Sequence, residues 1–256
     1  MKNILLIYAY YESNEAKINL EFFNKFGMYR TENVFYKLMI SSQTCSVNLS
    51  DRWSSIQNRE NLGFDFGAWY DGLQSVNINN FTHFIFINDT MRGPFKKKRW
   101  IKTLIELLDD KIKLSGISIS CYIGPFVDPI PSPHIQSMIL CTDRQGLDII
   151  YPKVINEQRL DKIQTILQKE IITSKTLLDN GYNIACILSG YNYDFRKLEN
   201  RLINSNNGHN GDPWYNHSFF GNTIHPYESI FFKTNRGVNP EILESLTIKQ
   251  NKEKWY

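Results

Sequence analysis

Residues 3–11 read NILLIYAYY, an apolar run with no alternation between polar and apolar positions. A strand of that kind leaves neither face in water, so it calls for a sheet covered on both sides, as parallel sheets between helices are. The next segment supplies a cover. NEAKINLEFFNKFG places Ile18, Phe22, Phe23 and Phe26 at helical spacing and ends at Gly27, a C-cap residue. NVFYKLMIS then reads as a second strand, FTHFIFIN (Phe81 to Asn88) as a third, and WIKTLIELLDD as a helix with Trp100, Leu104, Leu107 and Leu108 on one face. LSGISISCYIG and SMILCTD add two further strands. The alternation predicts an α/β fold with a mostly parallel central sheet, whose ligands collect just beyond the carboxyl ends of the strands.

Composition limits the partners. A chain of 256 residues with 42% hydrophobic content can bury a full core, while a net charge of +3 gives no footprint for duplex nucleic acid. Cys45, Cys121, Cys141 and Cys186 show no C-x-x-C spacing and two sit in apolar runs, so reduced thiols and a cytoplasmic location are expected. No run reaches the roughly 18 to 20 apolar residues of a membrane span, and neither a signal peptide nor an integral span is expected. The basic run KKKR (Lys96 to Arg99) reads as a solvated helix start.

Two stretches carry chemistry. In RENLGFDFGAWYDGL, Phe66, Trp69, Tyr70 and Leu73 mark one face of a helix, with Asp65 placed as its N-cap and Arg59 to Phe64 as the approach loop. Gly63 permits a turn there, Gly67 follows closely, and a helix N-terminus beside Arg59 suits an anion. The competing reading gives Asn61 and Asp65 turn and cap bonds and pairs Arg59 with Glu60 or another acid. In FIFINDTMRGPF a strand runs straight into Asn88, Asp89 and Thr90, and then Arg92. A carboxylate at a strand's carboxyl end can hold a divalent cation that bridges a diphosphate, with Arg92 neutralising the same phosphates; the alternative is an Asx turn.

Those stretches, with PHIQSMILCTDRQGLDII and EIITSKTLLDNGY, resemble the rhamnan-synthesis F-like glycosyltransferases and related polysaccharide-synthesis proteins of bacteria and viruses. YAYYE near the start and HPYESIFFKTNR near the end are similar too. The resemblance implies a GT-A-like glycosyltransferase in one domain, 1–256, with a nucleotide-sugar donor half (1–125), an acceptor half (126–236) and a C-terminal tail (237–256). It implies transfer of a hexose such as rhamnose from a nucleotide-diphosphate sugar to a glycan hydroxyl, with inversion. The donor side would comprise Ala9, Tyr10, Tyr11, Arg59, Asn61, Gly63, Asp65, Gly67, Asn88, Asp89 and Arg92. Asn88-Asp89-Thr90 stands where D-x-D is the family pattern, so one carboxylate, Asp89, is left for Mn²⁺ or Mg²⁺, with His225 either a second ligand or a turn histidine.

On the acceptor side, Leu160, Ile163, Leu167, Ile171, Ser174 and Leu178 draw the buried face of a helix within 156–181, and Glu170 stands beside that face with no basic residue at helical spacing. The resemblance favours Glu170 as general base. His134 and Asp143 compete, with capping the helix that starts at Arg144 the stronger reading for Asp143. The polar stretch Asn204 to Thr223 reads either as a sugar-binding loop offering His209, Asp212, Trp214, Tyr215, His217, Phe219 and Phe220, or as an ordered loop with its aromatics tucked in. A non-catalytic binder of nucleotide sugars or glycans on the same fold is the alternative function. No G-x-G-x-x-G follows the first strand, which disfavours a dinucleotide-dependent oxidoreductase.

Overall fold

The structure, a computed structural model, describes residues 3–29, 33–96, 99–122 and 132–252. The chain opens with β1 (Ile4–Tyr10), buried throughout, and α1 (Asn14–Phe26), which Ser13 caps by accepting from the Ala16 N–H at 3.1 Å. It continues through β2 (Val34–Ile40), β3 (Ser55–Asn58), α2 (Phe64–Gln74), β4 (His83–Asn88), β5 (Met91–Arg92) and α3 (Trp100–Ile105). Next come β6 (Ile112–Gly116), β7 (Ile119–Tyr122), β8 (Ser132–Ile135), β9 (Ile139–Asp143) and α4 (Arg144–Ile150). A helical rod follows in which α5 (Lys162–Thr165) and α6 (Ile171–Asp179) are joined by a π turn, Ile166–Glu170. β10 (Asn183–Cys186), α7 (Pro226–Ser229), β11 (Phe232–Lys233) and α8 (Pro240–Lys252) complete the chain.

Seven strands form the central sheet in the order β10, β6, β9, β4, β1, β2, β3, and among them β9 alone runs antiparallel. The expected α/β class with a mostly parallel sheet therefore holds. Because β1 to β4 run the same way, Tyr10, Ile40, Asn58 and Asn88 end at one edge of the sheet. Several elements differ from their sequence pattern. LSGISISCYIG is two strands rather than one, parted where Ser118 O accepts from Gln136 N at 3.2 Å. The helix at Trp100 stops at Ile105, and Ile18 is exposed while Asn19 and Leu20 turn inward.

The core is aromatic on the α2 side: Trp69 packs against Phe66 and Phe86 and donates to Ile87 O at 3.3 Å. Cys121, Cys141 and Cys186 are buried thiols. The C-terminal helix docks on one face: α8 buries Leu243, Thr247 and Gln250, and Gln250 Nε2 donates to Pro94 O at 2.8 Å. Residues 253–256, Lys97 and Lys98 of the basic run, and the expected half boundary at 125/126 lie outside the described residues.

The entry to α2 is built on close approach. Gly63 is its N-cap residue, in the left-handed region at φ 74°, and a Cβ on Gly67 would lie 2.0 Å from Leu62 O and 3.0 Å from the Arg59 guanidinium. Gly67→Ala is therefore expected to lower unfolding stability by about 1–3 kcal/mol, the usual cost of overpacking. Urea unfolding reads this directly, and an unchanged midpoint would mean the loop yields freely.

Candidate active site

The turn that ends β4 is tied on both sides. Asn88 Nδ2 donates to Asp65 Oδ2 at 2.8 Å, while Asn88 Oδ1 accepts from Thr90 N at 3.1 Å and Thr90 Oγ1 at 2.6 Å. Asn88 is thus an Asx-turn residue and a link to α2, with its oxygen already in use. Asp89 Oδ2 accepts from the Tyr11 N–H at 2.6 Å, which joins the turn to the end of β1. Burial pushes the Asp65 carboxyl up to about 6, with Glu170 adding to the rise and Asn88, Arg59 and Lys233 opposing it. Burial and then the Asp65 charge push Asp89 up to about 7. Both carboxyls are short of positive charge.

Beside the turn, at the carboxyl ends of β1, β2 and β3, lies an open cleft of about 1070 Å³ lined by Tyr11, Glu12, Ser41, Thr44, Arg59 and Asn61, among others. Of the expected donor residues, Tyr11, Arg59 and Asn61 reach it. Ala9 and Tyr10 are buried in β1, one step behind. Gly63 and Gly67 shape its loop. Asp65 is not the helix cap, which falls to Gly63; it sits in the first turn and serves Asn88 instead. Arg59 is largely spent on building the loop: Nε meets Asp71 Oδ2 at 2.7 Å, Nη1 Ser41 Oγ at 2.9 Å and Nη2 Leu62 O at 2.6 Å. The acid it pairs with is Asp71, a full helix away in sequence from Glu60, and Arg159 binds the other Asp71 oxygen.

Arg92 is not a phosphate ligand in this arrangement. Its guanidinium is buried against α1 and α8, bonded to Asn19 at 3.0 Å, Glu15 at 2.8 Å and Thr247 at 3.3 Å. The reason is alternation: β5 is extended, so Arg92 and Met91 point to opposite faces, and it is Met91 that pairs with Lys233 of β11. His225 likewise does not join Asp89. It is exposed and caps α7, its Nδ1 accepting from Tyr227 N at 3.1 Å, which makes it the turn histidine. Among the described residues no group of three or more His, Cys, Asp or Glu gathers to hold a metal ion.

On the other side of the turn, the π turn reorients the helical rod. Its extra residue shifts the phase, so Ile163, expected inside, is 65% exposed, while Lys169 points inward and bonds Asn156 Oδ1 at 3.0 Å. Glu170 then faces a cavity of about 230 Å³, where its Oε1 accepts from the Ser137 N–H at 2.8 Å. His134, Gln136, Asp212, Lys233 and Arg236 share the cavity. His134 donates from Nδ1 to Ser132 O at 3.0 Å, the tautomer a carbonyl partner requires. Asp143 does not come here. It pairs with Lys113 at 2.8 Å and caps α4 by accepting from Gly146 N at 2.8 Å. β9 runs antiparallel, so Asp143 lies opposite His83, at the far end of β4 from Asn88.

The long polar loop divides between its two readings. Trp214 is buried and donates to Ser118 Oγ at 2.8 Å, while Tyr215, stacked on His209, and Asp212 line the cavity. Burial works against the Asp212 charge, but Lys233, the Trp214 N–H and Arg236 together hold its carboxyl below the usual range. His217 and Phe220 are exposed.

Sequence reading missed Lys233. It is 7% exposed, and its ammonium has neither a hydrogen-bond partner nor an ion pair among the described residues. Burial and the Arg236 charge lower its proton affinity, against the pull of Asp212, Glu170 and Asp65. A single lysine inside the apolar run IFFKT was the available signal.

A cleft at the carboxyl ends of parallel strands, an acidic turn at its border and a polar cavity beyond that turn define a ligand-binding α/β protein. The chain belongs to the rhamnan synthesis protein F family, whose model matches residues 39–207, about two thirds of its length. No curated protein matches it. Among solved structures it is similar to a mannosyltransferase from Pyrobaculum calidifontis in complex with GDP-Man and Mn²⁺ (TM-score 0.46, 12% identity, 72% of this chain and 54% of that one). It is also similar to the catalytic domain of Drosophila β1,4-galactosyltransferase 7 in complex with xylobiose (TM-score 0.39, 8% identity, 73% and 65%). This chain thus spans between half and two thirds of either solved chain.

The Asp65 carboxyl gives a pH test. With a folded value near 6 against 3.8 unperturbed, the native state binds more protons than the unfolded one across that interval. Its contribution to stability is full below about pH 4 and is lost as pH rises through about 6. The melting temperature of wild type minus that of Asp65→Asn should therefore fall from about pH 4 to about pH 7, and a difference that grows with pH contradicts the assignment.

Proposed function

We propose that the protein is a glycosyltransferase that moves a hexose from a nucleotide-diphosphate sugar to a glycan hydroxyl by single displacement with inversion. The observation that carries this reading is the placement of Glu170 across the Asn88–Thr90 turn from the open cleft, close enough to act electrostatically on Asp65. The cleft is the donor side, with Tyr11 and Asn61 against the nucleoside. The Glu170 cavity, lined from Ser120 to Arg236, is the acceptor side. A GT-A-like division into a donor half (1–125) and an acceptor half (126–236) fits that placement closely, Ser120 being the exception. Family membership supports polysaccharide synthesis as the setting.

The acceptor hydroxyl would lie in the cavity within reach of the Glu170 oxygen that Ser137 leaves open. Glu170 takes its proton as the hydroxyl oxygen attacks the sugar carbon. The Ser137 N–H fixes the carboxylate, and the π turn sets its direction. Asp89 is the one side chain of the turn that would hold a divalent ion, a hard oxygen ligand for Mn²⁺ or Mg²⁺. Such an ion supplies positive charge to the leaving diphosphate. No described helix is long and apolar enough to cross a membrane. A cytoplasmic site of action, where nucleotide sugars are made, fits the reduced thiols.

A second reading, a non-catalytic nucleotide-sugar or glycan binder, draws on Asn88, whose oxygen is committed to Thr90 where the family pattern has an acid. Glu170→Gln separates the two. It keeps size and can still accept from Ser137, but cannot take a proton, so turnover should fall by about 10² to 10⁴ while donor affinity stays within a few fold. Near-normal turnover in the folded variant removes Glu170 as base, and no turnover by wild type with any nucleotide sugar favours the binder.

A further inference from the structure

Lys233 is anchored to the acidic turn through the backbone. It pairs with Met91 across β5, and the next residue, Thr234, donates to Thr90 O from both N and Oγ1, at 2.9 and 3.1 Å. The backbone at Lys233 is thus tied to the acidic turn, and its side chain lines the wall of the Glu170 cavity. Its neighbours are already engaged. Asp212 accepts from Gln136 at 3.0 Å, Trp214 N at 3.0 Å and Arg236 at 3.1 Å; Glu170 accepts from Ser137, and Asp65 from Asn88. None of these acids lies within ion-pair distance of Lys233, whose three donors are left to face the cavity. The stem of Lys233 is buried while its nitrogen opens on the cavity, where an anion would supply the hydrogen-bond partners that the described residues do not.

We infer that Lys233 is an anion-binding group of the active site, which donates to a non-bridging oxygen of the donor's diphosphate. The inference rests on the nucleotide-diphosphate reading above and adds the group that receives the leaving charge. The bond from the acceptor oxygen to the sugar carbon forms as the hydroxyl proton passes to Glu170. The bond from that carbon to the diphosphate oxygen breaks, its electron pair stays on the diphosphate, and the ammonium holds the added charge while keeping its own protons. A diphosphate is favoured over a charged acceptor by position. The Lys233 backbone is tied to Thr90, next to Asp89, and its ammonium feels Asp65 on the donor side as well as Asp212, Arg236 and Glu170, whereas an anion carried by the acceptor has Arg236 and Tyr215 to meet it.

The test uses the full chain with inorganic pyrophosphate and, as a charged acceptor probe, glucuronate, with affinity read by thermal shift and calorimetry. Pyrophosphate should bind wild type saturably, Lys233→Met should lose at least about tenfold in affinity, and Lys233→Arg should recover most of it, since a tenfold loss corresponds to one hydrogen bond to a charged group. Glucuronate binding should be the same in wild type and Lys233→Met. Lys233→Gln serves in place of Lys233→Met if circular dichroism shows the latter misfolded. The inference is overturned if wild type does not bind pyrophosphate, if the neutral variants bind it within twofold of wild type, or if glucuronate is the ligand they lose. Because no turnover is measured, a Glu170→Gln enzyme with normal activity leaves this result standing, so the two readings fail separately.

Discussion

The hydrogen bond from Asn88 Nδ2 to Asp65 Oδ2 joins two parts of the chain that would otherwise diverge. One is the end of β4, deep in the sheet; the other is the first turn of α2, at the rim. With that bond in place the loop Arg59 to Phe64 must fold tightly over the strand ends, which is why Gly63 is left-handed and Gly67 has no room for a Cβ. Arg59, locked to Asp71, Ser41 and Leu62 O, is the brace of that loop. The cleft over β1 to β3 exists because the brace holds the loop open on its other side.

The same bond brings unlike charges close without pairing them. Asp65 and Asp89 hold their protons more tightly than free carboxylates, and Lys233 holds its proton less tightly, each mainly through burial. A site in this condition is electrostatically unfinished. A ligand carrying both hydroxyls and anionic oxygens can complete it, giving hydrogen bonds to the acids and accepting them from the ammonium. A nucleotide-diphosphate sugar has both kinds of group.

Much of this was legible in the sequence, for reasons that are physical. β1, α1, β2 and β4 carry strong apolar patterns, and the turn chemistry of Gly63, Gly67 and Asn88-Asp89-Thr90 is written in residues with few alternative uses. Glu170 stood out by its lack of a local partner. What was hidden depended on distance. β3 is four residues with alternating exposure, too short to read. The π turn changes the phase of a helix with no breaker residue to announce it, so Ile163 was placed inside. Asp143 competed with Glu170 for the base, with capping its stronger claim, and the antiparallel direction of β9 carries it to the far end of the sheet, where it caps α4; Arg92 read as a phosphate ligand until strand alternation turned it toward α1 and α8. Lys233 shows in the sequence only as a lone lysine in the apolar run IFFKT, and its setting beside Asp212, Arg236 and Glu170 emerges only in the fold.

The most direct test is a crystal structure of the full chain with a nucleoside diphosphate. The account predicts the diphosphate beside the Asn88–Thr90 turn, one oxygen within hydrogen-bond distance of the Lys233 ammonium, and the nucleoside in the cleft between Tyr11 and Asn61. A nucleotide bound at another edge of the sheet, or one seated in the cleft while Lys233 stays unbonded, would contradict it.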